Sequence, residues 1–84
     1  MDHNINAQSV QHIVRHLLSV INQGHYNTGD VLIAASELLG RIIVDTCETP
    51  ISAIQMATVM EEHIKRTMYA GYTAKGFNMG PMEL

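Results

Sequence analysis

The chain has 84 residues, 46% of them hydrophobic and 15% charged, with a formal net charge of −3. That balance belongs to one folded domain, because disorder goes with low hydrophobicity and high net charge. A core this small rarely supplies more than roughly 3–5 kcal/mol of net stability without a disulfide, a metal or a partner chain.

Cys47 is the single cysteine, so no disulfide can form within the chain. Five Lys and Arg are spread along the sequence. They form no basic cluster of the kind that neutralises phosphates, so nucleic acid is not an expected partner. The opening "MDHNINAQ" is polar, and the longest apolar runs are "VLIAA" and "IIV". Neither a secretory leader nor a membrane span of ~18 residues can be read there, and the cytoplasm is the expected compartment.

The first expected helix covers residues 7–23, with Asn6 as its cap. Ile5 and Val10 have the spacing of a hydrophobic staple. Val10, Ile13, Val14, Leu17, Val20 and Ile21 share one face at 3.6-residue spacing, with Gln8, Gln11, Arg15, Ser19 and Asn22 opposite. Gly24 is placed to end the helix in the left-handed conformation. On the border of the apolar face stand His12 and His16. Residues four apart project together, so this pair is a weak candidate for a zinc-like ion, although a stable site needs further ligands.

The second helix is expected over residues 29–46, with Thr28 as cap and Asp30 favourably placed for the helix dipole. Val31, Leu32, Ala35, Leu38, Leu39, Ile42 and Ile43 form a broad apolar face. A further side carries Ile33, Gly40 and Val44, flanked by Ser36. A helix apolar on more than one side is normally buried on more than one side. Ile33, Ser36, Gly40 and Val44 are therefore the expected interface of a two-fold homodimer.

The third helix is expected over residues 50–70, opened by a Thr49 cap and by Pro50 at the first helical position, and ending near Gly71 or, as the alternative, at Gly76. Its expected buried stripe is Ala53, Met56, Ala57, Met60, Ile64 and Met68, with Glu61–Lys65 and Glu62–Arg66 pairing outside. Two acids in the middle of its polar face argue against a DNA recognition helix. Cys47 with His63 could be read as nucleophile and base, but a helix C-terminus disfavours a thiolate. No phosphate loop, triad ordering or cofactor motif occurs.

The chain closes on "MYAGYTAKGFNMGPMEL", which contains three of its four aromatic residues and three of its six glycines. The glycines argue against continued helix, yet Tyr72, Phe77 and Met79 are too apolar for a solvated end. Residues 72–84 are expected as an extended tail docked on a three-helix domain of residues 1–71, with a frayed end or a segment gripping a partner as the alternatives. The expectation as a whole is an all-α homodimer, a non-enzymatic module that binds another protein and uses no cofactor. The alternative is a metal-binding helical protein built on His12 and His16.

Overall fold

The computed structural model describes residues 4–81. These residues form three α-helices, α1 (Ala7–Gly24), α2 (Thr28–Thr46) and α3 (Pro50–Ala74), and contain no strand. The chain divides into two packed units, Met1–Ile42 and Ile43–Leu84.

In the first unit, the Asn6 side chain accepts a hydrogen bond from the Ser9 amide at 3.1 Å, as a cap should. The expected staple is not made, since Ile5 remains 90% exposed. The end of α1 also differs in detail. Gly24 is the last helical residue, and His25 takes the left-handed conformation at φ 53°. The glycine is required for room instead, because the Tyr26 ring folds back onto the space a Cβ there would fill.

The cap of α2 lies one residue earlier than the sequence suggests. Asn27 Oδ1 accepts from the amides of Gly29 at 2.7 Å and Asp30 at 3.4 Å, and Thr28 is already helical. Asn outcompetes Thr here because its longer side chain reaches two free N–H groups at once. The link of His25, Tyr26 and Asn27 makes α1 and α2 an αα-hairpin.

In the second unit, α3 opens on a reciprocal cap. Thr49 Oγ1 accepts from the Ser52 amide at 3.2 Å, and Ser52 Oγ accepts from the Thr49 amide at 3.4 Å. The Glu61–Lys65 pair forms at 3.2 Å and is exposed. It is the ion pair present among the described residues, and Glu62–Arg66 does not close.

The helix does not stop near residue 70. It passes through Gly71 and ends at Ala74. One interior glycine costs about 1 kcal/mol, which a further turn of backbone hydrogen bonds can offset. The stop comes where the backbone turns left-handed, at Gly76 with φ 95°. There the Phe77 amide bonds to the Tyr72 carbonyl at 3.1 Å and the Gly76 amide to the Thr73 carbonyl at 3.0 Å. This is the Schellman pattern. Tyr72 is thus a helical residue, and the non-helical end begins after it.

No described residue is buried. The best covered apolar side chains, Ile21, Val31, Leu39, Ile43, Ala53, Met56, Met60 and Tyr69, are half-buried. Of the stripe expected on α3, Ile64 and Met68 are 50% and 55% exposed.

Candidate interaction surfaces

Along α2, the side carrying Ile33 and Val44 is open: these residues are 62% and 70% exposed. Between them, Ser36 Oγ donates to the Ile33 carbonyl at 2.9 Å, which satisfies the hydroxyl within its own helix. A Cβ built on Gly40 would meet nothing within 4 Å. The helix therefore holds Ile33, Ser36, Gly40 and Val44 on one smooth, uncovered side with no unmet polar group on Ser36.

A second surface lies within the first unit. A groove of about 310 Å³ runs between α1 and α2, lined by Leu17 and Ile21 on one wall and by Val31, Ala34, Ala35 and Leu38 on the other. Tyr26 closes one end, and Asp30 stands beside it as the charged member of the lining. The helix spacing follows from the sequence, since the short link holds α1 against α2 while Ala34 and Ala35 leave space that larger residues would fill. Tyr26, 62% exposed, had no assigned role in the sequence pattern. Its signal was present as an aromatic in a short link next to a glycine.

The third surface is the end of α3. The Phe77 ring meets the Tyr72 ring edge-on with centroids 5.5 Å apart, and Lys75 Nζ lies 5.5 Å from the Tyr72 centroid. Tyr72, Phe77 and Met79 are 43%, 58% and 40% exposed. The apolar residues Met82 and Leu84, counted with the tail in the sequence, lie outside the described residues.

His12 and His16 come together as the spacing requires, with ring centroids 6.4 Å apart and planes 19° from parallel. Among the described residues, no group of three His, Cys, Asp or Glu side chains is arranged to hold a metal ion. Cys47, half-buried, follows α2 directly, and its amide donates to the Ile43 carbonyl at 2.8 Å. No described helix is long and apolar enough to cross a membrane.

The sequence matches no family model, and no curated protein or solved structure is significantly similar to it.

Proposed function

We propose that this chain is a non-enzymatic helical interaction module that acts as a homodimer and binds another protein. The observation that supports this reading is the exposure of its apolar side chains: among the described residues, 21 large hydrophobics are 40% or more exposed and none is buried. Soluble monomers rarely leave contiguous apolar surface of this kind in water, and such surface marks protein contacts. The open side of α2 at Ile33, Ser36, Gly40 and Val44 and the Tyr72–Phe77–Met79 end of α3 are its proposed contact surfaces. The intended setting is the cytoplasm.

The test is recovery of a stoichiometric macromolecule with a tagged copy expressed in the native host. The complex must survive gel filtration and must be lost with Val44→Asp or with Phe77→Ala. Recovery that both variants leave unchanged would contradict these surfaces.

The stacked imidazoles favour one second reading, a metal-binding helical protein in which His12 and His16 supply two nitrogens. Its mark is a melting temperature that rises with added zinc or nickel and no longer does so in His16→Ala.

A further inference from the structure

We draw no further inference here: the strongest candidate, the apolar groove between α1 and α2 lined by Leu17, Ile21 and Leu38 with Tyr26 at one end, is an unpartnered face, and nothing in the structure shows what covers it.

Discussion

Phe77 packs edge-on against Tyr72, the residue whose carbonyl its own amide caps, with ring centroids 5.5 Å apart. The backbone bond and the ring contact join the same two residues, which is how a Schellman stop is completed by an apolar clasp. Gly76 makes the turn possible with φ 95°, and Lys75 covers the outer face of Tyr72. Part of the aromatic content of the chain end is explained by this clasp. Both rings remain about half exposed, so they also remain available for contact.

Breaking the clasp should loosen the last turns of α3. Phe77→Ala removes an aromatic pair worth about 0.5–1.5 kcal/mol beyond burial. Gly76→Ala forces a side chain into the left-handed region at a cost of about 1 kcal/mol. Both variants should lower the melting temperature, and faster hydrogen exchange at the backbone amide of position 77 should accompany Phe77→Ala. Unchanged exchange there would contradict the clasp.

The two helical glycines make a sharper comparison. A Cβ at Gly71 would meet nothing within 4 Å, so Gly71→Ala should stabilise the protein by up to about 1 kcal/mol through helix propensity. Gly40→Ala should do the same if that side of α2 stays uncovered, since a Cβ there also meets nothing within 4 Å. If instead helices meet closely across Ile33, Gly40 and Val44, the added methyl collides with the partner helix and lowers the melting temperature. The sign of the Gly40→Ala effect therefore reports whether that side of α2 is occupied.

Helix ends give local tests. Thr49→Ala removes the hydroxyl that accepts from the Ser52 amide, leaving the Thr49 amide bonded to Ser52 Oγ, and should cost about 0.5–2 kcal/mol. His25 holds φ 53° without being a glycine. His25→Gly relieves a left-handed strain of about 1–2 kcal/mol but adds freedom to the unfolded chain. A modest net rise in melting temperature is expected, and a fall would mean that the imidazole makes a contact that matters.

The interaction reading also expects a flat response to metals. Thermal melts with and without zinc or nickel should coincide, since two exposed imidazoles lack the further ligands of a stable site. A rise that His16→Ala abolishes would favour the metal reading.

How much of this was legible follows from how local each signal is. Asn6, Thr49 and Pro50 announce helix starts because a cap involves residues within three positions. The Asn27 cap was missed because Asn and Thr stand side by side, and only geometry says which reaches the free amides. The end of α3 was misplaced because Gly71 was weighed by propensity, a cost of about 1 kcal/mol that a continuing helix absorbs. Gly76, the alternative stop, is the one with a positive φ, and composition does not say which of the two glycines takes it. The α2 strip was readable from periodicity as an apolar side. The groove was not, since it arises from Leu17, Tyr26 and Leu38 meeting across a hairpin, far apart in sequence.

Sedimentation equilibrium of the wild-type chain at micromolar concentration tests the central claim most directly. The account predicts a single species of twice 9.3 kDa. A stable, folded species of 9.3 kDa would contradict it.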